Sequence, residues 1–124
     1  MGKAEFSNDA AVALHVRVGE DLRTAVAARD LNAVRVLRIL LAALDNAQAV
    51  PLDDLPNGGQ DLTGDVPRRT LTAQQVQAIL QGEMASRRAA LAMTMRAGRA
   101  DAAAQLRAEL ALLAPYWQVV LSAE

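Results

Sequence analysis

The sequence has 124 residues, the length of one domain with a single hydrophobic core. It contains no cysteine, which excludes disulfide bonds and thiolate metal sites. The net charge of −1 excludes the strongly basic overall balance that is typical of domains that bind a phosphate backbone.

The composition and the apolar spacing predict an all-α protein. Apolar residues make up 52% of the sequence and aromatic residues only 2%, which favours helices over sheets. The first predicted helix covers about residues 9–29, where Leu14, Val18 and Leu22 recur at intervals of four. His15 borders this apolar face and is expected to be an ordinary packed or surface residue, because there is no second histidine to share a metal ion with it.

The second predicted helix covers about residues 31–47 and is the most apolar segment of the chain. Asp30 precedes it and can cap the free amides of its first turn. Its polar residues form only a narrow strip, which predicts a central position with neighbours on several sides. The strip consists of Arg35, Arg38, Asp45 and Asn46.

A long loop is predicted over residues 49–70, which are rich in proline, glycine and aspartate. The segment lacks the Gly-Lys-Ser/Thr ending of a phosphate-binding loop. Its aspartates also miss the spacing of a calcium-binding loop. We therefore interpret it as a solvated connector.

Two more helices are predicted after the loop, at about residues 73–97 and 101–114. Thr72 and Gln75 have the spacing of a capping box at the start of the third helix, and Gly98 supplies a left-handed stop after it. Two short connections and one long one suit an antiparallel arrangement. The predicted fold is a single antiparallel bundle of about four helices, with the long loop between helices two and three.

Charged residues fall inside the apolar pattern of three helices. Glu83 and Arg87 lie in the apolar arc of helix three, Glu109 flanks that of helix four, and Arg38 borders that of helix two. A lone buried charge is costly, so we predict that these four residues form an interior ion-pair network. The alternative is that a glutamate acts as a general acid or base, but the sequence offers it no nucleophile, second close carboxylate or metal cluster. We therefore predict no catalytic residue, no cofactor and no metal site.

The second half of the chain is the more basic one. Residues 1–65 carry 6 basic and 10 acidic side chains, whereas residues 66–124 carry 7 and 4. The arginines of this half form an ordinary solvated face, or they contact a phosphate backbone or a protein partner. The aromatic residues Tyr116 and Trp117 either stack on a ligand or pack against the bundle. The candidate contact residues are Arg88, Arg96, Arg99, Arg107, Tyr116 and Trp117.

Residues 18–48 and 71–116 resemble the YqeY-like proteins, which are related to the tail region of the B subunit of the tRNA-dependent Asp/Glu amidotransferase. The resemblance depends on the order and spacing of several short elements over about 77 of the 124 residues. These elements are Val36-Leu37-Arg38, Glu83 with Arg87-Arg88, Ala97-Gly98-Arg99, and the stretch from Glu109 to Tyr116.

The resemblance implies an all-helical module without an active site of its own. In the amidotransferase the tail region helps to hold tRNA, and carbon–nitrogen ligase activity with glutamine as amido donor belongs to the full enzyme. The implied partners are therefore tRNA or a protein of the tRNA-amidation pathway. The alternative is a protein-interaction or homo-oligomerising bundle unrelated to tRNA.

The chain departs from the family pattern in two places. The loop at 49–70 is longer than the family's usual link. Leu121, Ser122 and Glu124 resemble the start of the family's second, smaller lobe, so we expect a single domain over residues 1–124 without that lobe.

The expected location is the cytoplasm. The N-terminal residues lack the apolar region of a secretion signal, and the longest apolar run, residues 39–44, is far shorter than a membrane span. We therefore expect no membrane contact. The oligomeric state stays open.

Overall fold

The computed structural model describes residues 9–49 and 69–123. Within these ranges the protein consists of five α-helices without a β-strand, which confirms the predicted all-α bundle. Almost all of the predicted loop lies outside the described residues. The helices are α1 (Asp9–Ala28), α2 (Leu31–Gln48), α3 (Ala73–Arg96), α4 (Ala100–Leu113) and α5 (Tyr116–Ser122).

Local capping explains where α2 and α3 begin. The Asp30 carboxylate accepts a hydrogen bond from the backbone amide of Ala33 at 3.1 Å. Thr72 and Gln75 form the predicted capping box: the Thr72 hydroxyl accepts from the Gln75 amide at 3.1 Å, and the Gln75 side chain accepts from the Thr72 amide at 2.8 Å. Both boundaries follow from hydrogen bonds between residues three apart in the sequence.

The helices pair as two hairpins, α1 with α2 and α3 with α4. Gly98 makes the tight turn of the second hairpin with φ of 71°, a backbone conformation that glycine adopts without steric cost. The hairpins bury a common core in which each large apolar side chain contributes roughly 1.5–3 kcal/mol. The largest fully buried side chains are Leu14, Val18, Val36, Leu37, Leu40, Leu44, Val76, Leu80, Leu113 and Val120.

A short fifth helix, which the apolar pattern did not predict, follows Pro115. Pro115 does end α4, but its φ of −62° and ψ of −23° also suit the start of a new helix. Tyr116 and Val120, four residues apart, bury the inner side of α5. This helix packs against α1 and α3, and Tyr116 and Val120 belong to the common core.

None of the helices in the described ranges has both the length and the apolar character that crossing a membrane requires.

Candidate functional site

The most buried charged group in the described residues is the Glu109 carboxylate of α4, which is 5% exposed. Its Oε1 accepts a hydrogen bond from Arg87 Nε at 2.9 Å. Its Oε2 accepts from Arg35 Nη2 and, at 3.1 Å, from Gln105 Nε2. Both carboxylate oxygens are thus engaged by donors, which compensates the cost of burying the charge.

Arg87 of α3 links Glu109 to the second carboxylate of the network. Its side chain is buried, and Nη1 donates at 3.0 Å both to the Glu83 carboxylate and to the Glu83 backbone carbonyl. The Glu83 side chain is 25% exposed, so water still reaches it. Arg87 therefore bridges the buried carboxylate of Glu109 and the partly exposed carboxylate of Glu83.

Two amide side chains extend the network onto α2. Asn32 Oδ1 accepts from Arg35 Nη2 at 2.9 Å and from Gln105 Nε2 at 2.6 Å. Since Asn32 and Arg35 belong to α2, Gln105 to α4 and Arg87 to α3, the contacts set the relative position of three helices. Within the described residues no buried side-chain nitrogen or oxygen atom lacks a hydrogen-bond partner, and a shift of one of these helices would break several of these hydrogen bonds together.

The structure brings together Glu83, Arg87 and Glu109 of the predicted network, but Arg38 does not belong to it. Arg38 is exposed, and Arg35 takes its place beside Glu109. Three residues of α-helix correspond to a rise of about 4.5 Å and a rotation of about 60°. Arg38 therefore lies about one turn further along the same polar strip of α2, whereas Arg35 and Asn32 contact Glu109 and Gln105 of α4.

The arrangement keeps Glu109 ionised. Burial raises the pKa of Glu109, but the hydrogen bonds from Arg35, Arg87 and Gln105 outweigh it, so the pKa lies below the usual value for a glutamate. Such a group holds no proton near neutral pH and cannot act there as a general acid. Within residues 9–49 and 69–123 there is also no cluster of three or more histidine, aspartate or glutamate side chains that could hold a metal ion.

The lowered pKa of Glu109 predicts a loss of stability in acid. A carboxylate whose pKa is lower in the folded state stabilises the protein above its unfolded pKa of about 4.3, and this stabilisation disappears as the pH falls through the folded pKa. We expect urea denaturation of the wild type to show falling stability below about pH 4.3. The Glu109→Gln variant should show a flatter dependence, because it has no such proton to take up.

The matched control is Glu20→Gln, which changes an exposed carboxylate of α1. This variant should keep the acid dependence of the wild type. Equal slopes for the wild type and Glu109→Gln between pH 5 and pH 3 would contradict the role of Glu109.

Four exposed arginines lie along the α3–α4 hairpin, and we call them the hairpin arginine surface: Arg88, Arg96, Arg99 and Arg107. Among the described residues of this hairpin, only Asp101 carries an exposed carboxylate. The hairpin's other carboxylates, Glu83 and Glu109, are bound to Arg87. The interior network thus removes negative charge from this surface.

The two aromatic candidates have different environments. Tyr116 is 5% exposed, packs in the core and donates its hydroxyl to Asp21 Oδ2 at 2.6 Å. Burial and this hydrogen bond raise the pKa of Tyr116 well above its usual range. Of the two alternatives left open for Tyr116, the structure thus shows packing in the bundle, and the small exposed part of this residue lines a cavity together with Leu112 and Pro115. Trp117 is half-buried and, with Gln81, Met84 and Arg88, lines a groove between α3 and α5.

The sequence did not predict that Asn32 and Gln105 belong to the network or that Arg35 pairs with Glu109. One signal was present, because Gln105 precedes Glu109 by four residues and such pairs contact each other on a helix. The contacts between α4 and α2 had no such local signal in the sequence, since Asn32 and Gln105 are 73 residues apart.

These features define a class of protein: a small helical bundle with a partly buried ion-pair network between α2, α3 and α4 and a basic hairpin on its surface. The chain belongs to the YqeY family, because the family model described as Yqey-like protein matches residues 15–124. No curated protein and no solved structure matches it.

Proposed function

We propose that this protein is a non-catalytic helical module that binds tRNA through the hairpin arginine surface. Membership of the YqeY family supports the proposal, because that family is related to the tail region of the amidotransferase B subunit, which helps to hold tRNA. A module of this kind would act beside the tRNA-amidation machinery without performing its chemistry.

The observation that carries the proposal is the charge of the α3–α4 hairpin. Its exposed charged residues are the four arginines of the hairpin arginine surface and Asp101. Guanidinium groups bind phosphates with paired, directed hydrogen bonds. The protein as a whole carries a net charge of −1, so this local excess of positive charge gives a polyanion one preferred side.

The ionisation of Glu109 supports the non-catalytic part of the proposal. Its carboxylate oxygens accept from Arg87, Arg35 and Gln105 and are shielded from solvent. A general base needs a free lone pair within reach of a substrate, and a general acid needs a proton. The contacts of Glu109 fit a role in holding helices together.

The proposal predicts tRNA binding that weakens steeply with salt. If the four arginines each neutralise one phosphate, the affinity should fall roughly 50- to 150-fold between 50 and 200 mM salt. Replacing all four arginines with glutamine should abolish measurable binding at the higher salt concentration. Fluorescence anisotropy of labelled tRNA, titrated with the protein at both salt concentrations, measures this.

The matched control replaces four exposed arginines outside the hairpin with glutamine and so removes the same charge: Arg23, Arg29, Arg38 and Arg69. This variant loses positive charge but should retain most of the affinity. Absence of tRNA binding by the wild type at 50 mM salt would overturn the proposal, as would equal affinities of the wild type and the fourfold variant.

The alternative is a protein-interaction or self-associating bundle, and one observation favours it. Val12 and Val16, four residues apart on α1, are 49% and 55% exposed and form a short apolar strip. Light scattering on the same preparation separates the two functions. Concentration-dependent dimerisation together with no detectable tRNA binding would favour the self-associating bundle.

A further inference from the structure

We infer that the groove lined by Gln81, Met84, Arg88 and Trp117 holds one unpaired nucleobase of the bound RNA. The inference rests on the proposed function and deepens it. The arginines of the hairpin would bind the phosphate backbone of the RNA. The groove would favour RNA that has an unpaired base able to unstack from its neighbours. We call it the Trp117 groove.

The geometry of the Trp117 groove suits a flat ring. Gln81, Met84 and Arg88 follow one another at spacings of three and four, which places them on one side of α3, and Trp117 faces them from α5. The groove has a volume of about 280 Å³. This lies just below the range of about 300–1,000 Å³ of sites for drug-sized ligands, so a single planar group fits better than a larger ligand.

The lining residues supply the contacts that RNA-binding proteins make with an unstacked base. Trp117 packs against the core, so its indole ring is held in place before a ligand arrives. Indole rings stack on nucleobases, and the Met84 thioether is a polarisable contact for an aromatic ring. The Gln81 amide carries both a donor and an acceptor for a base edge.

The charge at the groove points to a nucleotide and not to a neutral aromatic ligand. Arg88 is exposed and, among the described residues, pairs with no carboxylate. Its guanidinium is therefore free to bind the phosphate that accompanies the base. Arg96 lies eight residues further along α3, about 12 Å away, which is three to four nucleotide steps of a stacked strand. One strand can thus reach the groove and the hairpin end together.

Trp117 allows a direct test, because it is the only tryptophan in the sequence. The full chain is titrated with a short oligoadenylate, with a blunt-ended RNA duplex and with tripolyphosphate, while its tryptophan emission is recorded. We expect oligoadenylate to quench the emission of Trp117. The duplex and tripolyphosphate should compete for the arginines but leave the emission nearly unchanged.

Two variants locate the effect. Trp117→Leu should weaken oligoadenylate binding roughly 5- to 150-fold, the loss expected for one stacked base. Gln74→Ala, which changes an exposed glutamine of the same helix, should bind like the wild type. Anisotropy of labelled RNA measures both variants, and circular dichroism confirms that each is folded. If Trp117→Leu does not fold, the inference is tested by the wild type alone, through the difference in quenching between oligoadenylate and the two competitors.

The outcomes separate this inference from the proposed function. If tRNA and oligoadenylate bind with the predicted salt dependence while Trp117 emission stays constant, the groove holds no base and only this inference fails. If neither RNA binds, the proposed function fails as well. Equal quenching by polyglutamate would overturn the inference, because it would assign the groove to acidic groups of a protein partner.

Discussion

Glu109→Ala is expected to lower the free energy of unfolding by about 3 kcal/mol. Removing one partner of a buried ion pair leaves the other charge uncompensated, at a cost of about 3–5 kcal/mol. The lower end applies here because Arg87 keeps its hydrogen bonds to Glu83. Urea denaturation at neutral pH, followed by circular dichroism, measures the change.

Two comparison variants test whether burial causes the effect. Glu83→Ala should cost roughly 1 kcal/mol, because this carboxylate is partly hydrated and Arg87 keeps Glu109. Glu20→Ala, at an exposed position of α1, should change stability by less than about 0.5 kcal/mol. If all three variants unfold at the same urea concentration, the network contributes nothing to stability.

A double variant separates the cost of an unpaired charge from the value of the ion pair. Glu109→Leu with Arg87→Met replaces both buried charged groups with apolar ones of similar volume. Such replacements are often neutral or stabilising. We expect the double variant to recover most of the stability lost in Glu109→Ala. A loss greater than that of Glu109→Ala would show that the pair itself stabilises the bundle.

Leu40→Ala is expected to destabilise the protein by about 2–5 kcal/mol. Leu40 is 0% exposed and lies in the common core of the two hairpins, where truncation removes apolar contacts and leaves a cavity. Leu31→Ala, on the same helix, is the matched control because Leu31 is 77% exposed. Urea denaturation should separate the two variants by at least about 2 kcal/mol. Similar values would mean that α2 is not the central helix of the core.

The helix boundaries could be predicted because their causes are local. Asp30, Thr72 and Gln75 satisfy amides within three residues of themselves, and Gly98 adopts the left-handed conformation that ends the first helix of the hairpin. Apolar spacing likewise placed Leu14 and Val18 on the buried face of α1, because it depends only on helical periodicity. The short α5 escaped prediction because Pro115 both ends one helix and starts another.

The interior network could be predicted only in part. An apolar arc that contains Glu83 and Arg87 signals an interior charge that needs a partner. Which residue provides that partner depends on how far α2 and α4 are rotated and shifted against each other. Arg35 and Arg38 both belong to the polar strip of α2 and differ by one helical turn, so periodicity cannot choose between them.

By itself, the sequence determined that the protein is all-α, where α2 and α3 begin, and that charged residues enter the interior. These properties depend on backbone propensity, capping and periodicity, which act over a few residues. Only the tertiary structure decided that Arg35 binds Glu109, that the buried Tyr116 donates to Asp21 and that Trp117 lines a groove with Arg88. Each of these contacts depends on the packing of helices whose contacting residues lie far apart in the sequence. A small rotation or axial shift of one helix would bring a different long side chain into the contact.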